Sequence, residues 1–196
     1  MMLKFIGLLF LIFCLNKSET AVIRRHHHLI NKIVDLFNQT EYVKLEYQRI
    51  RFSRRDFDTN DVNITYLPQL SFDVADNAQE GDLLFTHVAD LNIFYDVLQY
   101  VKTNEADVNK NSLHIFDTQF QDICNSITAV TTKMTDIIQN KGLNGTLLRN
   151  PTTVQYTFML SKAELHNFTM ELLIELDKYV VQAYTHVTAL YYVLTA

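Results

Sequence analysis

The sequence predicts an all-α protein, a four-helix bundle whose helices run up-up-down-down. Its 196 residues include only 4 Gly and 2 Pro, too few turn residues for a sandwich of many short strands. Four segments carry apolar residues at alternating spacings of three and four, joined by links of about 28, 9 and 20 residues. A short link makes neighbouring helices antiparallel, whereas a long link can cross the bundle and leave two helices parallel. The order long, short, long therefore predicts two long crossover loops.

The N-terminal segment, residues 1–18, is predicted to be a signal peptide, with cleavage between residues 14 and 21. Lys4 precedes an apolar run from Phe5 to Leu15. That run is shorter than the about 20 residues that a bilayer span requires, and it is typical of a signal-peptide core. A buried N-terminal helix is the alternative. We expect a secreted, extracellular protein without membrane insertion, with residues 19–196 forming one domain.

The first helix is predicted from about residue 22 to residue 50. Its stripe comprises Leu29, Ile33, Leu36, Thr40, Val43, Tyr47 and Ile50, widened by Ile30, Val34 and Phe37. Residues 51–78 lose this period, contain Pro68, and are predicted to be a long connection.

The second helix is predicted over residues 79–102, on the stripe Leu84, Val88, Leu91, Tyr95 and Leu98. After a short polar link, Ser112 is predicted to cap a third helix over residues 113–140. Its stripe is Phe116, Phe120, Ile123, Ile127, Val130, Met134 and Ile137. The glycines in Lys141–Gly145 are predicted to end it.

The fourth helix is predicted to begin at a capping box, Ser161 to Glu164. Its stripe comprises Leu165, Phe168, Leu172, Leu176, Tyr179, Ala183, His186 and Leu190. His186 is interpreted as a core histidine with a hydrogen-bond partner. In the aromatic run that precedes the capping box, Tyr156 and Met159 are expected to pack on the bundle, and Phe158 to face a partner.

Composition excludes several classes of function. Loss of residues 1–18 removes Lys4 and Lys17 from 17 basic and 22 acidic residues, which leaves a net charge of −7 and no basic footprint for nucleic acid. Because Cys14 belongs to the signal peptide, Cys124 is alone and cannot form an intramolecular disulfide. We expect Cys124 to be a buried small apolar residue, and a disulfide between chains stays open.

Catalytic and metal-binding patterns are missing from the sequence. The consecutive His26, His27 and His28 point about 100° apart on a helix, so they are interpreted as a solvated helix start rather than a metal pair. Glu171 and Glu175 are interpreted as surface charges. We therefore expect no enzyme, no cofactor and no metal. Four sequons, at Asn38, Asn63, Asn144 and Asn167, indicate a glycoprotein.

Three segments carry a resemblance to a known family: Glu41–Leu45 at the end of the first helix, Leu67-Pro68 in the long connection, and Leu91–Leu98 in the second helix. In these, the chain resembles the long-chain helical cytokines of the interleukin-6 superfamily, most nearly the ciliary neurotrophic factor and cardiotrophin branch. The resemblance implies a monomeric secreted ligand that binds and assembles cell-surface cytokine receptor chains, triggers kinase and transcription-factor signalling, and has growth factor activity.

The resemblance also implies three receptor-contact regions. The branch carries Phe-x-x-Lys at the start of the fourth helix, and the matching pair here, Phe158 and Lys162, is one residue longer. A second region lies on the first and third helices, and a third on the fourth helix with the first long loop. Residues facing away from the apolar stripes are assigned to them, namely Lys32, Asp35, Gln39, Gln121 and Asn125 for the second and Lys178, Gln182 and Thr185 for the third.

Two other readings of the sequence stay open. The first is a secreted helical-bundle carrier that opens around a lipid or a small hydrophobic ligand, for which the bundle has to leave a cavity. The second is a structural secreted protein that associates with itself and has no receptor.

Overall fold

A computed structural model describes residues 2–52, 79–109, 116–148 and 161–195, with side chains from residue 23 to residue 192 within these ranges. It contains four α-helices, which are α1 (Met2–Arg51), α2 (Glu80–Val108), α3 (Asp117–Lys141) and α4 (Lys162–Thr195). The described ranges contain no β-strand. The predicted all-α class and the number of helices are confirmed.

The helices pack against each other around one apolar core. Helices α1 and α2 each pack against both α3 and α4. The largest fully buried side chains include Tyr47, Tyr179, Phe94, Phe116 and Phe120, so all four helices contribute large groups to the core. The predicted stripes supply most of the buried positions, because each stripe repeats every three or four residues and therefore follows one face of its helix.

Polar contacts show which helix ends lie together. His26, in the middle of α1, meets Glu80 at the start of α2, with Nε2 and Oε1 2.9 Å apart. Lys141, at the end of α3, also reaches Glu80, with Nζ 2.6 Å from Oε2. At the opposite end of the bundle, Arg51 at the end of α1 pairs with Glu105 near the end of α2.

Three helix boundaries differ from the predictions. The helix predicted to start near residue 22 begins at Met2, so α1 is continuous with the segment predicted to be a signal peptide. Helix α2 continues to Val108 instead of residue 102, because Val101 and Glu105 extend its buried face. Helix α3 begins at Asp117 instead of residue 113, after a buried Phe116 in a non-helical conformation. The predicted cap Ser112 lies outside the described residues.

Two predicted helix ends are confirmed by their hydrogen bonds. At the start of α4, the Ser161 N–H donates to Glu164 Oε2 at 2.7 Å, and the Glu164 N–H donates to Ser161 Oγ at 3.3 Å. At the end of α3, Gly142 adopts a left-handed conformation with φ of 61°. The Leu143 N–H then donates to the Ile138 carbonyl at 2.9 Å, as in a Schellman motif.

Two glycines allow the segment after α3 to touch the first turn of α2. A Cβ on Gly81 would collide with the carbonyl oxygen of Asn144, and a Cβ on Gly145 would lie 2.6 Å from the Gly81 carbonyl carbon. The same contact is held by Asp82, whose Oδ1 accepts the Thr146 N–H at 2.6 Å. Backbone therefore meets backbone at this point because neither glycine carries a side chain.

Replacing Gly81 with alanine is expected to lower the free energy of unfolding by about 1 to 2 kcal/mol, because the added methyl group forces two backbone segments apart. Urea denaturation followed by circular dichroism measures the change. Gly142→Asn is the matched control, because no atom of the described residues lies within 4 Å of its added Cβ and asparagine tolerates a left-handed conformation. Equal losses for both variants would contradict the steric explanation.

Candidate functional site

The candidate site is an apolar groove between α1 and α4, called here the α1/α4 groove. Its lining consists of Ile33, Val34, Phe37, Val180, Val181 and Tyr184, and its volume is about 280 Å³. Three lining side chains reach the surface, with exposed fractions of 38% for Val34, 48% for Val181 and 41% for Tyr184. Contiguous exposed apolar side chains of this kind mark interaction surfaces more often than isolated ones do.

The groove follows from the width of the apolar stripes. Ile33, Val34 and Phe37 occupy adjacent faces of α1, and only Ile33 is fully buried. On α4, Val180 is buried while Val181, one position later, turns about 100° toward the solvent. Each helix thus carries more apolar surface than the bundle covers.

The residues assigned to the third receptor-contact region border this groove. Lys178 and Thr185 lie one turn before and one turn after Val181 and are both exposed. Lys178 Nζ pairs with Glu175 at 2.6 Å, and the Thr185 hydroxyl donates to the Val181 carbonyl at 3.0 Å. Gln182 is half-buried. The long loop assigned to the same region lies outside the described residues.

The residues assigned to α1 and α3 lie on one face of the bundle. A polar cleft of about 160 Å³ is lined by Lys32, Asp35, Asn125, Ser126 and Ala129. Ser126 Oγ donates to Gln39 Oε1 at 3.0 Å, which joins the two helices.

Among these residues, Lys32, Asp35 and Asn125 are exposed, whereas Gln39 and Gln121 are half-buried. The Gln121 amide donates to Asn125 Oδ1 at 3.0 Å, and its oxygen accepts a bond from Lys102 of α2 at 2.6 Å. Sequence spacing identifies the solvent-facing side of a helix but does not show these contacts between helices.

Of the pair matched to the branch motif, Lys162 is exposed at the start of α4, and Phe158 lies outside the described residues. The sequon asparagines Asn38 and Asn144 are exposed, and Asn167 is half-buried. The fourth sequon asparagine, Asn63, lies outside the described residues, and so do Tyr156 and Met159, which were expected to pack on the bundle.

A buried ionic network occupies the end of the bundle near Lys162, and its centre is Glu105. The Arg51 side chain is 6% exposed and that of Glu105 is 1% exposed, and Arg51 Nε lies 2.9 Å from Glu105 Oε1. Tyr47 donates its hydroxyl to Glu105 Oε2 at 3.3 Å, and His166 Nε2 lies 3.7 Å from the same oxygen. Burial raises the pKa of Glu105, which the charge of Arg51 opposes. The network joins α1, α2 and α4.

A second buried network links α2 and α4. Tyr179 donates its hydroxyl proton to Asp90 Oδ2 at 2.9 Å. Since that hydroxyl has one proton, it accepts the bond from His87 Nδ1, 2.8 Å away, which assigns the proton to Nδ1. His87 Nε2 then accepts a hydrogen bond from the Nδ1–H of His186 at 3.1 Å. Burial is the main cause that lowers the pKa of His87 to about 3, with a smaller effect of His186 in the same direction.

Two interpretations from the sequence are wrong. His26 is fully buried and bonds Glu80, because the stripe of Leu29 and Ile33 continues one turn back to residue 26; His27 and His28 are exposed, as predicted. Glu171 is 8% exposed instead of being a surface charge, and its Oε2 has no hydrogen-bond partner among the described residues. Burial, followed by the charge of Glu175, raises the pKa of Glu171.

The interpretation of His186 as a partnered histidine is confirmed, but the sequence analysis did not pair it with His87. His87 and Asp90 stand on the buried face of α2 with Leu84 and Leu91, at spacings of three and four. The signal in the sequence was that His87 and Asp90 share this helix face with the apolar residues Leu84 and Leu91, which indicates a buried polar pair.

Other chemistry is limited in the part of the chain that the structure describes. No three His, Cys, Asp or Glu side chains there are placed to hold a metal ion. Cys124 is buried, as predicted, and burial raises the pKa of its thiol to about 11. Within the described helices, none is both long and apolar enough to span a bilayer.

Comparison with known proteins adds no relative: no protein-family model, no curated protein and no solved structure matches this chain.

Proposed function

We propose that the protein is a secreted helical cytokine that binds and assembles cell-surface receptor chains and so triggers kinase and transcription-factor signalling. The observation that carries this proposal is the α1/α4 groove, where Val34, Val181 and Tyr184 leave apolar surface open beside polar Lys178 and Thr185. An apolar anchor with a polar rim is the usual composition of a protein–protein contact.

The up-up-down-down topology is part of the proposal. The contacts His26–Glu80 and Arg51–Glu105 support it, since His26 of α1 lies at the start of α2 and Arg51, further along α1, lies near the end of α2, so that the two helices run in the same direction. Lys141 at Glu80 and His166 at Glu105 support the opposite direction for α3 and α4. This topology requires the links over residues 53–78 and 149–160 to cross the length of the bundle, whereas residues 110–115 connect neighbouring ends.

In this proposal the receptor chains contact separate faces of one monomeric ligand. The α1/α4 groove with Lys178, Gln182 and Thr185 is one face, and the polar face of α1 and α3 is a second. Lys162 with Phe158 forms a third. Three separated surfaces on one ligand allow more than one receptor chain to bind at the same time, which is what receptor assembly requires.

The proposal is tested by capture of the purified glycosylated protein on a panel of cytokine-receptor ectodomains, followed by a receptor-associated kinase assay on responsive cells. Binding to at least one ectodomain and a kinase response are expected. Absence of both across the panel would overturn the proposal. Phe158→Ala and Lys162→Ala, measured in the same assay, test the third face.

A double replacement of Val181 and Tyr184 by alanine is expected to weaken receptor binding at least about 30-fold, which corresponds to about 2 kcal/mol. Both side chains are more than 40% exposed, so stability is expected to change little. Surface plasmon resonance measures the affinity. Leu147→Ala is the control, because Leu147 is 40% exposed but lies after α3, outside the groove. Equal affinity of the double variant and wild type would remove the groove from the interface.

A carrier of lipid or of a small hydrophobic ligand is the second candidate, and the apolar lining of the same groove favours it. Organic extraction of the purified protein, followed by mass spectrometry, distinguishes the two functions. A stoichiometric lipid in the extract supports the carrier, whereas a clean extract together with receptor binding supports the cytokine.

A further inference from the structure

A second cleft between α1 and α3 lies toward the start of α1 and is rich in cationic groups. Its volume is about 120 Å³. This basic cleft is lined by Arg25 and His28 on α1 and by Lys133, Asp136, Ile137 and Asn140 on α3. Arg24 precedes Arg25 and is also exposed. None of these residues belongs to the receptor-contact regions assigned above.

Among the described residues, Arg24 and Arg25 at the basic cleft are not paired in the way that other surface cations are, whereas Lys133 is. Lys32, Arg49 and Lys178 each pair with a carboxylate three residues away. Among the described residues, no carboxylate oxygen lies within 4.0 Å of Arg24 or Arg25. The acid in the cleft, Asp136, pairs with Lys133 at 3.1 Å. In a chain of net charge −5, two adjacent arginines that have no carboxylate partner among the described residues form a local positive site.

The groups of the basic cleft match a tetrahedral oxyanion. A guanidinium presents two parallel N–H groups to the oxygens of a sulfate or phosphate, and Lys133 adds a point charge from the opposite wall. The His28 imidazole lies on the same wall as Arg25, and the floor is the buried Ile137. An anion here meets cations from both helices.

The shape of the surface favours a polymer over a membrane. Between residues 23 and 32, where side chains are described, the exposed positions of α1 are Arg24, Arg25, His27, His28, Asn31 and Lys32, so this stretch presents no exposed apolar side chain to a bilayer. The α1/α3 face continues from the basic cleft to the polar cleft that Lys32 and Asn125 line. A linear chain can follow this face.

We infer that the basic cleft binds a sulfate group of a linear sulfated polysaccharide of the glycosaminoglycan class. The choice of a polysaccharide as the ligand depends on the proposed extracellular function, because such chains surround secreted proteins. The preference of the cleft for an oxyanion depends only on the residues that line it.

The test measures binding of a size-defined heparin oligosaccharide by titration calorimetry and the salt concentration that elutes the full chain from a heparin column. Wild type is expected to bind in a salt-sensitive manner. The double variant R25S/K133S is expected to bind about tenfold more weakly, a loss of about 1.4 kcal/mol. R49S/K178S removes two exposed cations outside the basic cleft and is expected to stay within about twofold of wild type.

Three results would overturn the inference: no binding by wild type, equal losses in both double variants, or equal binding of a desulfated oligosaccharide. Binding to phosphatidylserine vesicles that exceeds binding to heparin would also overturn it, in favour of a membrane surface. Receptor binding by R25S/K133S is expected to match wild type. If no receptor binds at all while heparin binding depends on Arg25, the proposed function fails and the oxyanion site stands.

Discussion

Glu105→Ala is expected to lower the free energy of unfolding by about 3 to 5 kcal/mol, the largest loss of any single polar replacement considered for this protein. Arg51 is 6% exposed, and its guanidinium lies over the rings of Tyr47 and Phe116, at 5.8 and 5.3 Å from their centroids. Removal of Glu105 takes away the carboxylate that pairs with this buried charge. The Tyr47 hydroxyl loses its acceptor at the same time. Urea denaturation at neutral pH measures the loss.

The matched control is Glu46→Ala, which removes the carboxylate of an exposed pair on α1. Arg49 lies 2.6 Å from Glu46 and is 55% exposed, so solvent screens its charge and the expected cost is much smaller than that of Glu105→Ala. The double variant Arg51→Met/Glu105→Leu is expected to recover much of the loss, because it removes both buried charges together. If Glu105→Ala cost no more than Glu46→Ala, the ionic network would not be buried in solution.

Acidification from pH 7 to pH 4 is expected to reduce stability by about 3 kcal/mol through His87 alone. Its folded pKa is about 3, below the unfolded value of about 6.5, because burial disfavours the charged imidazole. Below pH 6.5 His87 therefore binds a proton in the unfolded chain but stays neutral in the folded chain, so acid favours unfolding. The contribution is fully present above pH 6.5 and is lost as the pH falls toward 3. Urea denaturation at several pH values measures it.

The groups that face His87 are Tyr179 and His186 of α4, with Asp90 one turn later on α2. Burial also lowers the pKa of His186 and of His166, and for His166 the charges of Arg51 and Lys162 add to it. Because both pKa values are lowered, His186 and His166 also reduce the stability of the folded protein as the pH falls. Some acid sensitivity therefore remains in any His87 variant.

His87→Gln isolates the contribution of His87. The amide group can donate to Tyr179 and accept from His186, but it does not titrate. We expect this variant to have a flatter pH profile than wild type, while the exposed His27→Gln variant follows wild type. Parallel profiles for all three proteins would show that His87 takes up its proton without unfolding.

The helix ends that were predicted best are those marked by residues close together in the sequence. The capping box of Ser161 and Glu164 and the glycine stop at Gly142 each depend on groups within five residues of one another. The predicted end of α2 was wrong because Glu105 looks like a solvated charge in the sequence. Only the structure shows that Arg51, 54 residues away, lies beside it. The start of α3 was wrong because Ser112 is a good cap by residue type, whereas Phe116 takes the last non-helical position.

The candidate site was predicted in part. The exposed positions Lys32, Asp35, Asn125, Lys178 and Thr185 follow from helical periodicity, since they face away from the stripes. The α1/α4 groove does not, because Val34 belongs to a widened stripe that looked entirely core-facing and Val181 belongs to no predicted stripe. The fraction of a stripe that is covered depends on how closely the neighbouring helix approaches.

The sequence by itself determined the four helices, their apolar faces and two of their caps, because these depend on residues within one or two turns of each other. Only the tertiary structure decided which polar groups are buried and with what partners. Glu80 meets His26 across 54 positions of the chain, and His186 meets His87 across 99. Such pairs depend on the rotation and stagger of whole helices, which the packing of the complete core sets.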